Sequence, residues 1–203
     1  IPTGTCLILI TPDSERTMCT FLGIAGQIAP NDIDENFIKQ SELIFLEGYL
    51  WDEGDPKAAF NKALKLANKS AMSLSDKFCV DRHKKSFYNL VKNKLDITFA
   101  NEQEIRELID AKTFDDVIEF GKDLNKLLVI TRSDKGSVAI SGSEIVECES
   151  QKNLKIVDLT GAGDLFAAGF LHGYINSMST KESLQQGTKM ASKIIQKIGA
   201  RLD

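Results

Sequence analysis

The residues with the clearest chemical potential stand together in the string Asp158-Leu159-Thr160-Gly161-Ala162-Gly163-Asp164-Leu165-Phe166. Two glycines around an alanine, where an apolar strand is expected to run into an apolar helix, let consecutive backbone N–H groups face one concavity. The positive end of the helix dipole adds to it, and together these make an anion site. A carboxylate beside such a site repels a resting phosphate, so Asp164 needs a reason to be there. Accepting a proton from an attacking hydroxyl supplies one. Other readings of the fragment stay open at this point. Asp with glycines starts many helices as a plain N-cap. G-x-G also opens a dinucleotide fingerprint, although Phe166 stands where that motif needs a third glycine for close helix–strand packing. No G-x-x-x-x-G-K-[ST] occurs in the chain, which excludes a P-loop.

Weaker constellations surround it. Asn101-Glu102-Gln103-Glu104 reads by itself as a helix start, because Asn caps well and acids favour the first turn. Thr131-Arg132-Ser133-Asp134-Lys135-Gly136 reads as a turn between a strand and a hairpin. Arg16, after the polar turn Pro12-Asp13-Ser14-Glu15, reads by itself as a solvated turn charge. His83 and His172 have no partner at metal-ligand spacing, and His83, among Arg82, Lys84 and Lys85, is expected on a solvated helix face. Trp51 precedes an acidic loop and is expected in the core. Cys6, Cys19, Cys79 and Cys148 form no C-x-x-C pair; they read as small buried hydrophobes and fit a reducing cytoplasm.

The elements that must position these residues follow from periodicity. Two strands, Cys6–Ile10 and Thr17–Phe21, flank the polar turn, and a short helix is expected after Pro30. Strand Leu43–Glu47 leads to a helix from Pro56, with Asp55 as cap and Phe60, Ala63, Leu64 and Ala67 as its buried stripe. Strand Ala71–Leu74, a helix over Arg82–Lys94 and strand Ile97–Ala100 come next. Helical segments after Asn101 and around Asp115–Leu124 lead to strand Leu127–Thr131. Gly136–Glu149 alternates around Gly142-Ser143 as a hairpin. Strand Lys155–Asp158 feeds a helix over Asp164–Ile175, and the last helix opens on the capping box Ser179/Glu182 and stops at Gly199. This alternation predicts an α/β fold with a mostly parallel sheet and helices on both faces, whose ligands bind at the carboxyl ends of the strands.

Composition bounds the rest. In 203 residues, 25 Lys and Arg against 29 Asp and Glu leave a net charge of −4, with 42% hydrophobic and 27% charged residues. That is ordinary globular composition, ample for one α/β domain or two small ones, and it excludes a disordered tail. An acidic balance argues against nucleic acid as a partner. No apolar run approaches the ~20 residues of a membrane span.

The string Asp158–Asp164, continued by Phe166-Ala167-Ala168-Gly169-Phe170-Leu171, closely resembles the signature of the ribokinase/PfkB carbohydrate kinase family. The resemblance implies Asp164 as catalytic base and the Gly161, Ala162 and Gly163 amides as an anion hole. Asn101-x-x-Glu104 is similar to the family's N-x-x-E, which positions Mg²⁺ and phosphate through water. Thr131, Ser133 and Gly136 match a nucleotide loop in which Ser133 replaces the usual glycine. Asp158 and Thr160 match positions that bind a monovalent cation, K⁺, in some relatives. Leu9–Met18, Leu46–Leu50, Leu74-Ser75-Asp76 and Gly199-Ala200-Arg201 resemble the adenosine-kinase-like branch, in which Arg16 would help hold the transferring phosphate. The family's opening strands, Gly-Gly segment and small β lid have no counterpart. The expectation is therefore the C-terminal majority of a single ribokinase-like three-layer kinase domain over residues 1–203, opening without Met and poorly soluble alone. The function implied is transfer of the ATP γ-phosphoryl, with Mg²⁺, to a primary hydroxyl of an adenosine-like nucleoside. A sugar kinase of the ribose or fructose type and a non-catalytic nucleotide-binding remnant are the alternatives. The expected setting is a cytoplasmic monomer or homodimer with a small-molecule substrate.

Overall fold

The computed structural model describes residues 1–51 and 55–202; the acidic segment expected after Trp51 lies, at 52–54, outside the described residues. The chain begins with β1 (Thr3–Ile10) and β2 (Arg16–Gly23), which form a two-stranded sheet. Then follow α1 (Glu35–Gln40), β3 (Ile44–Glu47), α2 (Pro56–Leu66), β4 (Ser70–Ser73), α3 (Lys77–Asn93), β5 (Ile97–Asn101), α4 (Glu102–Ile109), α5 (Phe114–Leu124) and β6 (Leu127–Thr131). The hairpin β7 (Ser137–Ser141) and β8 (Glu144–Cys148) turns at Gly142-Ser143, and α6 (Ala162–Ile175) and α7 (Thr180–Ile194) complete the order. A six-stranded sheet runs β3-β4-β5-β6-β7-β8, with β3, β4 and β5 mutually parallel in the registers Ile44↔Ser70 and Ala71↔Ile97. This is the α/β fold with a mostly parallel sheet that the alternation predicts.

Contacts divide the chain into two compact units. One holds Ile1–Gly4, Leu22–Ile130 and Ile140–Ile145; the other holds Thr5–Phe21, Thr131–Ala139 and Val146–Asp203. The core of the first is built on Met72, Leu90, Ile97, Ile105 and Leu128, all fully buried. Strands buried on both faces need such unbroken apolar runs. Trp51 joins this core edge-on to Phe60 and Phe87 at 5.5 and 6.2 Å. In the second unit α6 lies directly on α7. A Cβ on Gly169 would sit 2.6 Å from the Gln186 carbonyl oxygen, and one on Gly173 would sit 2.8 Å from Ser183 Oγ, so glycine is what permits the approach.

Several expectations are corrected. Lys155–Asp158 forms no strand; the Val157 and Asp158 N–H groups instead donate to the Ile195 carbonyl just past α7, at 2.8 and 3.3 Å. Asp55 makes no side-chain cap, because its ψ of 4° leaves the extended region that capping requires. Helix α3 starts at Lys77 rather than Arg82, since Asp76 accepts from the Phe78 N–H at 2.7 Å and caps an earlier turn. His83 (φ −115°) sits at a bend in α3 and packs on Phe87 at 5.8 Å, so its face is not simply solvated. Helix α7 stops at Ile194, before Gly199, whose φ of 90° serves a different turn. Cys79 and Cys148 are buried, but Cys6 and Cys19 are exposed on the ribbon. Among the described residues no helix is long and apolar enough to cross a membrane.

Candidate functional site

The glycine turn stands in the second unit. Gly161 is the N-cap of α6 in the left-handed region (φ 78°), and its missing Cβ would lie 3.0 Å from Ala200 Cβ, so both backbone and space demand glycine. Asp164 is the third residue of the helix and is exposed. The Ala162 N–H leans back to the Leu159 carbonyl at 3.3 Å, whereas the N–H groups of Gly163 and Asp164 are among those a helix start leaves without an intrahelical partner. Gly163 carries the most information. Its φ is not positive, and among the described residues nothing lies within 4 Å of the Cβ it lacks. Neither conformation nor packing among the described residues calls for glycine there.

Behind the turn Asp158 is 1% exposed. Its Oδ1 accepts from the Thr160 N–H (2.8 Å) and Oγ1 (2.6 Å), and its Oδ2 from the Gly199 N–H (2.9 Å). Burial alone would raise its pKa, but these donors and the charge of Arg16 prevail and hold it below the usual carboxylate range. Arg16 opens β2, in the same unit, and is exposed.

Thr131 ends β6, and Ser133 (φ 54°) takes the left-handed conformation that glycine would adopt freely. The Arg132 N–H donates to the Gly136 carbonyl at 2.8 Å and the Gly136 N–H to the Ser133 carbonyl at 3.1 Å, closing a tight loop. Gly136 (φ 87°) is irreplaceable within it, as a Cβ would fall 2.1 Å from the Cys148 carbonyl oxygen.

Asn101 and Glu104 stand in the first unit, at the carboxyl end of β5. They form a reciprocal capping box. The Asn101 N–H and Nδ2 donate to the two Glu104 oxygens at 2.9 and 2.6 Å, while the Glu104 N–H donates to Asn101 Oδ1 at 2.8 Å. Burial pushes the Glu104 carboxyl up to about 7 against the pull of the Asn101 donors, and the nearby charges of Asp76 and Glu47 push the same way. Residue type and spacing assign Glu47 and Asp76 no role. Glu47 ends β3 and Asp76, three residues past β4, caps α3; only the parallel register of β3, β4 and β5 brings these strand ends side by side. Ser75 (φ 71°) ties this edge together: its Oγ donates to Glu47 Oε2 at 3.1 Å, and its carbonyl accepts from Tyr49 OH at 3.2 Å.

The mostly parallel sheet and its helices place the chain in the class of α/β proteins, with the glycine turn at the start of one helix. More narrowly, residues 1–203 match the pfkB family of carbohydrate kinases throughout, and the chain belongs to that family. It is 39% identical to the adenosine kinase of Sinorhizobium meliloti, with a TM-score of 0.95 over 99% of this chain and 63% of that one. A probable sugar kinase of Rhizobium etli superposes with a TM-score of 0.95 at 35% identity, over 98% of this chain and 62% of that one. An uncharacterized sugar kinase of Archaeoglobus fulgidus is 28% identical over 98% of this chain and 78% of its own length. The chain thus spans less than two thirds of either solved relative.

Proposed function

We propose that this chain carries the phosphoryl-transfer machinery of a small-molecule kinase that moves the γ-phosphoryl of ATP to a hydroxyl of an adenosine-like nucleoside. The observation that carries the reading is the glycine turn at the start of α6, where Gly163 leaves open space at its missing Cβ one residue before the exposed carboxylate of Asp164. Asp164 takes the proton of the attacking hydroxyl as its oxygen bonds to the γ-phosphorus and the bond to the ADP oxygen breaks. The amides around Gly161–Gly163, with the α6 dipole, stabilise charge on the phosphoryl group in flight. Thr131, Ser133 and Gly136 form the nucleotide loop, and Arg16 adds positive charge.

Asn101 and Glu104 suit a Mg²⁺ that arrives on the nucleotide. Among the described residues no three His, Cys, Asp or Glu side chains are grouped to hold a metal. A Mg²⁺ carried by phosphates and reached through water by one carboxylate and one amide fits such a donor set. When bound, Mg²⁺ neutralises phosphate charge.

ADP release by the full-length protein, with ATP and Mg²⁺, is to be measured with adenosine, ribose and fructose in parallel. Adenosine-dependent release that falls by at least ~10²-fold in Asp164→Asn, with ATP binding kept, is the expected result. Near-normal kcat in that variant would sink the role of Asp164. Release with a sugar alone would favour the second reading, a sugar kinase, which the likeness to the Rhizobium etli protein supports.

A further inference from the structure

We propose that the anion turn of this chain is built without a monovalent cation, and that Asp158 is its positioning residue, with the Thr160 donors and the Gly199 N–H in the cation's place. The inference rests on the kinase reading for what the turn does, but not for how it is held. A K⁺ ion is bound by converging oxygen lone pairs. What converges on Asp158 is the opposite. Its Oδ1 faces the N–H and O–H of Thr160 and its Oδ2 the N–H of Gly199, so the positive ends of three dipoles point at the carboxylate. The neighbouring Ile195 carbonyl, a natural cation ligand, is already taken by the Val157 and Asp158 N–H groups. Three of the carboxylate's about four lone-pair sites are thus taken by donors, and the Thr160 Oγ1 is turned toward Asp158 as a donor, which makes the pair a poor K⁺ site.

The same bonds explain how Asp158 shapes the turn. Two donations from Thr160 fix the backbone immediately before Gly161. The Gly199 bond fixes the segment whose next residue, Ala200, backs onto Gly161. One carboxylate thus holds both sides of the glycine on which the amide concavity depends. Thr160 is the residue through which this can be tested gently, because Val keeps its shape and its N–H while removing the Oγ1 donor.

Two measurements on the full-length protein test the proposal. The first is the melting temperature in KCl against tetramethylammonium chloride at matched ionic strength, since a cation bound only to the folded state raises it with concentration. The expected difference is below about 1 °C, with Mg·ATP affinity by calorimetry within about twofold between the two salts. A K⁺-specific rise in melting temperature or a tenfold gain in affinity overturns the proposal. The second is the split between kcat and the KM for ATP in Thr160→Val. Displaced donors cost about tenfold in kcat with KM little changed; Thr160→Ser restores kcat, and K⁺ does not. Wild-type kcat in Thr160→Val also overturns it. A protein inert with every acceptor sinks the kinase reading, while the salt-dependent melting still decides whether the turn needs a cation.

Discussion

In a helix, alanine is favoured over glycine by up to about 1 kcal/mol, and among the described residues nothing packs where a Gly163 side chain would stand. Its missing Cβ faces open space in a helical conformation. Gly163→Ala should therefore hold or raise the melting temperature while weakening Mg·ATP binding or lowering kcat by about tenfold or more. Unchanged turnover would mean that the glycine serves no ligand. Glu104 gives a second residue-scale test, in pH. Its carboxyl titrates near 4.5 when free and near 7 when folded. Between those values the folded chain binds the extra proton, so this group's contribution is complete below 4.5 and is lost as pH rises through 7. Each tenfold fall in proton concentration between the two values removes up to about 1.4 kcal/mol. Melting followed from about pH 5 to pH 8 should fall in the wild type, and Glu104→Gln should flatten that fall. An unchanged slope would place the titration elsewhere.

At the scale of elements, the close packing that aims the site leaves glycines that can be graded by what a methyl group would meet. In the β7–β8 region, Gly136→Ala drives a Cβ to 2.1 Å from a backbone oxygen, whereas Gly142→Ala meets nothing within 4 Å and bears only its left-handed φ of 58°. Urea unfolding should place Gly142→Ala about 1–2 kcal/mol below wild type, with Gly136→Ala much lower or unfolded. Equal midpoints would contradict the close approach. The same contrast explains what the sequence makes legible. Local signals are plain in it: the Ser179/Glu182 capping box, the Gly142-Ser143 turn and the Leu127–Thr131 strand all form where side-chain chemistry within a few residues dictates them. The helix start at the glycine turn is legible too, because Gly161 and Asp164 suit one by residue type, whereas its reading as an anion site leans on the family resemblance. Lys155–Asp158 misleads, since its alternation suits a strand but the partner for its N–H groups comes from Ile195, far along the chain. The Asp158–Gly199 bond and the gathering of Glu47, Asp76 and Glu104 are likewise products of tertiary register, to which no local pattern points.

On the scale of the whole chain, the β1–β2 ribbon is the feature least reconciled with water. Successive strand residues face opposite sides, and here Leu7, Leu9 and Phe21 are 63%, 53% and 55% exposed. Two strands alone bury little and are marginal by themselves. Contiguous exposed apolar surface with strand edges open to pairing favours association. A net charge of −4 spread over 203 residues offers only weak repulsion against it. The chain of residues 1–203 should therefore show a mass that grows with concentration in static light scattering. Because apolar burial drives the association, added salt should not reverse it, as it would a charge-driven contact. Replacing Leu7 and Leu9 by Thr keeps strand propensity while removing two large apolar surfaces, and should return the mass toward that of one chain. A constant single-chain mass for the unaltered sequence would show that the ribbon tolerates its exposure. Growth that persists in the double variant would move the sticky surface to other exposed residues, such as Phe37 or Ile198.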